Sequence, residues 1–154
     1  MRKTIVLTLS AALLQCLPVL AGTPAARTPD ARTPDARTPS PDNAQVYFIW
    51  PSDGMVLHHA FWVRMGLRNM GVAPKGTALA NTGHHHLLID TALPENMNEP
   101  LPNDRQHLHF GAGETEARIE LPPGRHTLQL LLADKDHIPH DPPVYSKKIT
   151  ITVK

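Results

Sequence analysis

Thr82-Gly83-His84-His85-His86-Leu87-Leu88-Ile89-Asp90 decides the architecture of this chain. Three imidazoles run into a short apolar stretch that ends on a carboxylate. Read as a β-strand, its side chains alternate between two faces. His84, His86, Leu88 and Asp90 then share one face, and His85, Leu87 and Ile89 share the other. The same rule applies to Gln106–Phe110, where His107 and His109 lie on one side while Leu108 and Phe110 face a core. Each His-x-His pair spaces two imidazoles by about 7 Å along a strand, close enough to converge on one ion.

The rest of the folding portion has the same character. Gln45–Trp50 is β-branched and aromatic, as strands are. Pro51–Gly54 is a turn, Met55–Leu57 resumes an extended segment, and Phe61–Leu67 alternates. A loop at 71–76 precedes the triple-histidine strand, and a long Pro- and Asn-rich loop follows at 91–105. Glu114–Leu121 alternates again, Pro122-Pro123-Gly124 turns the chain, and His126–Ala133 is a strongly apolar strand. Asp134–Pro143 is a loop rich in His, Asp and Pro, and Val144–Val153 closes the domain. Seven or eight short strands with turns between them and no helix predict an all-β, immunoglobulin-like antiparallel β-sandwich. A cupredoxin-like barrel is the alternative.

The domain occupies residues 44–154. Residues 1–21 read as a secretory signal peptide: a basic start at Arg2-Lys3, an apolar run, and Val19-Leu20-Ala21 before the cut. Its short apolar run with Pro18 leaves no membrane span after cleavage. Cys16, the only cysteine, falls inside this leader, so the mature chain has no disulfide and no thiolate ligand; lipidation of Cys16 is the competing reading. Residues 22–43 carry the repeated unit Ala-Arg-Thr-Pro-Asp, starting at Ala26, Ala31 and Ala36, the last ending in Ser40. One proline per unit and no large apolar side chain predict a disordered spacer. The expected location is periplasmic or secreted.

Fifteen basic and fourteen acidic residues nearly cancel, giving a formal charge of +1. No basic stripe for nucleic acid is present. Gly-x-Ser-x-Gly is absent, no phosphate-cradling loop occurs, and Glu114 and Glu116 read as a solvated sheet face, so no catalytic motif is found and an enzyme is not expected. Ten histidines do require an account, eight of them between positions 84 and 140. Imidazole-rich sites without thiolate suit copper or zinc. The candidate ligands are His84, His86, His107, His109, His126, His137 and His140. The first two pairs are the main set, His126 or His137 completes it, and Asp134, Asp136 and Asp141 stand as ligands or outer acceptors. His58-His59 is the weakest candidate.

Several segments carry a family resemblance. They are Gly66–Pro74, Asn81–Thr91, His107–Glu116, Leu121–Leu130 and His137–Pro143. In this order they resemble the bacterial family of domain of unknown function 4399, over roughly Val46 to Lys154. Arg68-Asn69-Met70 and Gly113-Glu114-Thr115 depart mildly from its pattern and touch no histidine. The resemblance implies a secreted or periplasmic protein and no particular activity. Two functions follow: an exported domain that binds copper or zinc through clustered histidines, or a non-catalytic interaction module, a scaffold held off an envelope protein partner by the spacer.

Overall fold

A computed structural model describes residues 37–154. The signal peptide expected at 1–21, Cys16, and the spacer up to residue 36 lie outside the described residues. Nine strands follow: β1 (Gln45–Trp50), β2 (Val56–Leu57), β3 (Ala60–Arg68), β4 (Gly71–Val72), β5 (Thr82–Ile89), β6 (His107–His109), β7 (Glu116–Glu120), β8 (Gly124–Ala133) and β9 (Ile149–Val153). Among the described residues no helix is long and apolar enough to cross a membrane.

The strands form an all-β sandwich. One sheet has three strands in the order β1-β3-β7. The other runs β2-β9-β8-β5-β4, with β6 added to β5. Alternation supplies the core between them. Val46, Phe61, Val63, Met65 and Ile119 from the small sheet meet Leu87, Ile89, Leu128, Leu130, Leu132, Ile149, Ile151 and Val153 from the large one. These are the residues of one parity on each strand, and they leave water together.

Two of the pairings are parallel rather than antiparallel: β2 with β9 and β4 with β5. Both involve two-residue strands that join a sheet edge. The expected loop at 71–76 therefore begins with a strand. The single strand expected over Val144–Val153 is divided in two. Val144–Ser146 bonds to β8 at Leu130 and Leu132, and the regular ladder resumes only at Ile149. At the break the Ser146 hydroxyl accepts from Leu130 N–H at 2.9 Å and donates to the Lys147 carbonyl at 2.8 Å. A side chain has taken a backbone place, which lets the chain step aside without leaving a buried polar group unpaired.

The large sheet is unusual in being shielded on both faces. Its outer face carries a second, smaller apolar cluster of Leu88, Leu101, Leu131 and Ala133, with Leu93 against it. Leu93 and Leu101 come from the long loop after β5, which is folded back over the sheet rather than left in solvent.

In the small sheet, Tyr47 stands opposite Gly66. Its ring lies where a β-carbon on Gly66 would be, 2.3 Å from Cζ. The Arg68 guanidinium sits 5.0 Å from the same ring. An aromatic side chain thus covers the gap that a strand glycine leaves. Gly66→Ala should lower unfolding free energy by about 1–3 kcal/mol, an overpacking cost. In a Tyr47→Ala background the same change should cost much less, because the ring it displaces is gone. Urea unfolding of the four proteins of this cycle measures the difference.

Candidate metal centre

β5 is hydrogen-bonded along both edges. On one side it pairs with β8, with His84 opposite Ala133, His86 opposite Leu131 and Leu88 opposite Gln129. On the other it pairs with β6, with His86 opposite His109 and Leu88 opposite His107. Residues directly opposite share a face, so His84, His86 and His109 stand together on the outer face of the large sheet. His85 takes the other parity, and its Nδ1 donates to the Glu114 carbonyl at 3.3 Å.

The fourth imidazole comes from a loop. Asp134 follows the last residue of β8, and its Oδ1 accepts from the backbone N–H of Asp136 at 2.9 Å and of Ile138 at 3.1 Å. The His137 N–H reaches back to the Asp134 carbonyl at 3.0 Å. This tight turn puts His137 in the left-handed region, at φ 68°. It costs little where a polar side chain tolerates that conformation and the turn bonds hold it. The His137 carbonyl accepts from Leu101 N–H at 2.8 Å, which ties the long loop to the same turn.

The four rings converge. His84 Nε2 and His86 Nε2 are 3.2 Å apart, and His109 Nε2 and His137 Nε2 are 3.1 Å apart. Ring centres of His109 and His137 are separated by 4.6 Å, and His84 lies 4.9 Å from His109 and 5.2 Å from His137. One ring nitrogen from each of His84, His109 and His137 falls within 4.8 Å of the other two. His86 is set slightly back, with its ring centre 5.0 Å from His84 and His109 and 6.0 Å from His137. Two imidazole nitrogens bound at 2.0–2.1 Å to one tetrahedral ion would sit roughly 3.3 Å apart. The observed pairs are near that spacing. The donor set is therefore three imidazoles with a fourth in reach.

Burial favours the neutral form of His84, His86 and His109. His84 and His86 are 0% and 1% exposed. Desolvation, then the neighbouring imidazoles, push the pKa of His84 down to about 4 and that of His86 to about 2. Desolvation and His137, then Lys75, lower His109 as well. Neutral imidazole is the form that binds a metal, so protons do not compete at neutral pH. Asp134, only 3% exposed, is the carboxylate that acts on His84 through space. The Nδ1 atoms of His84 and His86 are buried without a hydrogen-bond partner. These two rings are held by packing, whereas His137 is held by a braced turn.

The other candidates lie elsewhere. His107 shares the face of His109 but is one strand pair further along, where its Nδ1 donates to Asp104 at 2.9 Å. His126 has the parity of Leu128 and Leu130, which is the core side of β8. Its Nδ1 donates to Asp90 at 2.6 Å and its Nε2 to the Pro122 carbonyl at 2.8 Å. Desolvation would lower its pKa, but these two acceptors outweigh it and the net shift is upward. His140 is fully buried, and its Nε2 donates to the Thr82 carbonyl at 3.1 Å. His58 and His59 are exposed. His126, expected as a residue that could complete the set, is engaged with Asp90 and Pro122 instead. His137, expected to complete the set from its loop, lies in the cluster; His107, expected in the main set, lies outside it.

Gly111 belongs to the site although it carries no side chain. A β-carbon there would lie 2.2 Å from His109 Cε1 and 2.4 Å from its Nε2. The ring occupies the space that the glycine leaves open. Gly83 plays a similar part beside His140, whose Cε1 lies 2.7 Å from where a β-carbon would be, with the Ala133 carbonyl at 2.6 Å.

A family model matches residues 63–154, and its description is Domain of unknown function (DUF4399). The chain belongs to that family. No curated protein matches it. Among solved structures it is similar to the endo-beta-1,4-mannanase from Thermotoga petrophila, with 18% identity and a TM-score of 0.42. That match covers 72% of this chain but 20% of the mannanase chain. At that similarity it bears on neither activity nor ligand. Members of the family carry no function in its name, so the chemistry rests on the imidazoles.

Two outcomes follow from this geometry. Gly111→Ala should turn the His109 ring out of the cluster and weaken copper(II) or zinc binding by at least about tenfold, the scale of losing orientation at a ligand. Thermal unfolding should shift little, since the ring is a side-chain end that can move; calorimetric titration and melting read the two effects separately. The metal-free protein should also lose stability in acid. Unfolded imidazoles take up protons below about pH 6.5 while the buried rings do not. The stability that neutral His84 and His86 contribute is complete above that pH and is lost as pH falls toward 4. Melting temperature measured from pH 7 to pH 4 should fall by more than about 5 °C. The fall should be smaller in His86→Leu.

Proposed function

We propose that this protein is an exported domain that binds a transition metal, copper or zinc, through His84, His109 and His137, with His86 as the fourth ligand. It would serve in metal buffering or delivery in the periplasm. The observation that carries this proposal is the convergence of four imidazoles, three of them with ring nitrogens within 4.8 Å of one another. Clustered imidazoles with no thiolate favour copper(II) and zinc over softer or all-oxygen ions. The strand pair His84/His86 and the braced His137 turn approach from different elements, so the ligands are pre-arranged and not gathered by the ion. The lack of acceptors behind His84 and His86 fits a site that releases its ion, since such outer partners typically raise affinity 10–100-fold.

Calorimetric titration of the metal-free protein with copper(II) and with zinc tests the proposal. One ion should bind per chain, and His84→Ala, His109→Ala and His137→Ala should each weaken binding by about tenfold or more. His107→Ala and His126→Ala should leave it within about threefold, as expected for residues outside the ligand set. Binding no tighter than that of an unfolded His-rich peptide would overturn the metal role and leave the interaction module as the function to pursue.

A further inference from the structure

The spacer repeat ends inside the folded structure. Its third unit, Arg37-Thr38-Pro39-Ser40, is bonded along the loop that follows β8. Pro39 makes a parallel bridge with Asp141. Asp141 N–H donates to the Thr38 carbonyl and Ser40 N–H to the Asp141 carbonyl, both at 2.9 Å. The side chains add to this. Arg37 pairs with the Asp141 carboxylate, and the Thr38 hydroxyl donates to Asp134 Oδ2. The Ser40 hydroxyl donates to the Pro142 carbonyl at 2.7 Å. The Arg37 side chain is only 16% exposed, so it packs and does not wave in solvent.

Three copies of Arg-Thr-Pro exist in the chain, at 27–29, 32–34 and 37–39. They offer the same guanidinium, hydroxyl and proline to one receptor. The fifth position separates them. It is Asp30 in the first copy, Asp35 in the second and Ser40 in the third. A carboxylate there is acceptor-only and would face the Pro142 carbonyl, which also only accepts, with the Asp141 carboxylate nearby. Serine has the hydrogen to donate. Moving the register by one unit would lengthen the connection to β1 by five residues, and loop cost grows only slowly with length.

We infer that residues 134–142 form a peptide-docking site for an Arg-Thr-Pro-Ser segment, occupied by the chain's own third repeat unit, and that Ser40 selects which of the three copies docks. The recognition is strand addition with side-chain selection. Its ligand is an extended segment with a guanidinium, a hydroxyl two atoms from the backbone, and a donor in the fifth place of the unit. The site stands whether or not a metal binds, since every contact is between protein groups. It does touch the metal-site loop: Asp134 accepts from Thr38 through one oxygen and braces the His137 turn through the other.

Limited trypsin digestion of the exported full-length chain, read by mass spectrometry, tests this. All three units present the same Arg-Thr bond, so cleavage rates compare docking directly. Cleavage after Arg37 should be roughly tenfold slower than after Arg27 or Arg32, because the protease meets it only when undocked. Ser40→Asp should abolish that difference. The paired change Asp35→Ser with Ser40→Asp should move the protected bond to Arg32. Equal cleavage of all three bonds in the unaltered protein would overturn the docking site. Protection that stays at Arg37 in both variants would overturn the role of Ser40. Because the paired variant relocates protection and does not merely lose it, misfolding cannot mimic the expected result.

Discussion

Everything about the site depends on β5 being shielded on both faces. A strand buried on two sides is ordinarily apolar throughout, and this one carries His84, His85 and His86 at 0–1% exposure. Burying an imidazole without a partner is costly, and burying a protonated one far more so. The strand meets that cost differently on each side. Toward the core, His85 donates to a backbone carbonyl and packs beside Leu87. Toward the outer face, His84 and His86 meet two further imidazoles, so each ring has another ring nitrogen beside it in place of water. The cluster exists because two loops fold over that face.

Those loops bind the site to the periphery of the molecule. The 91–105 loop contributes Leu93 and Leu101 to an apolar lid and ties its backbone to His137. The 134–142 loop contributes His137 itself, through an Asp134 carboxylate that holds three hydrogens at once. One of those hydrogens belongs to Thr38, in what reads in sequence as a featureless spacer. The end of the repeat is therefore structural. Its last unit departs from Asp to Ser at the position where a donor is needed and a carboxylate would repel.

Much of this was legible beforehand. Alternation in His84–Asp90 and His107–Phe110 separated the imidazoles that act together from those that face the core, and the same parity placed Leu108 and Phe110 inward. The β-branched and aromatic runs marked the main strands. What was not legible concerns spacing between elements. His107 and His109 are equivalent by parity, and only the register of β6 against β5 puts His109 beside His86 and His107 beside Leu88. His137 could be named as a candidate, but its stretch has no periodicity by which to place it. Its position follows from an Asx-type turn and a left-handed residue, features that sequence signals weakly. The two-residue strand β4 also carries too little pattern to be read, whereas β2 falls in the extended segment expected at Met55–Leu57.

The sequence by itself determined the class of fold, the parity of each strand and the supply of imidazole donors, because those depend on side-chain chemistry and a two-residue period. Tertiary structure alone decided which donors meet. Convergence within a few ångströms depends on strand register and on the path of two long loops, and both are set by packing between residues far apart in the chain. Gly111 shows the division most clearly. As a letter it marks a turn; in the folded protein it is the space in which the His109 ring sits.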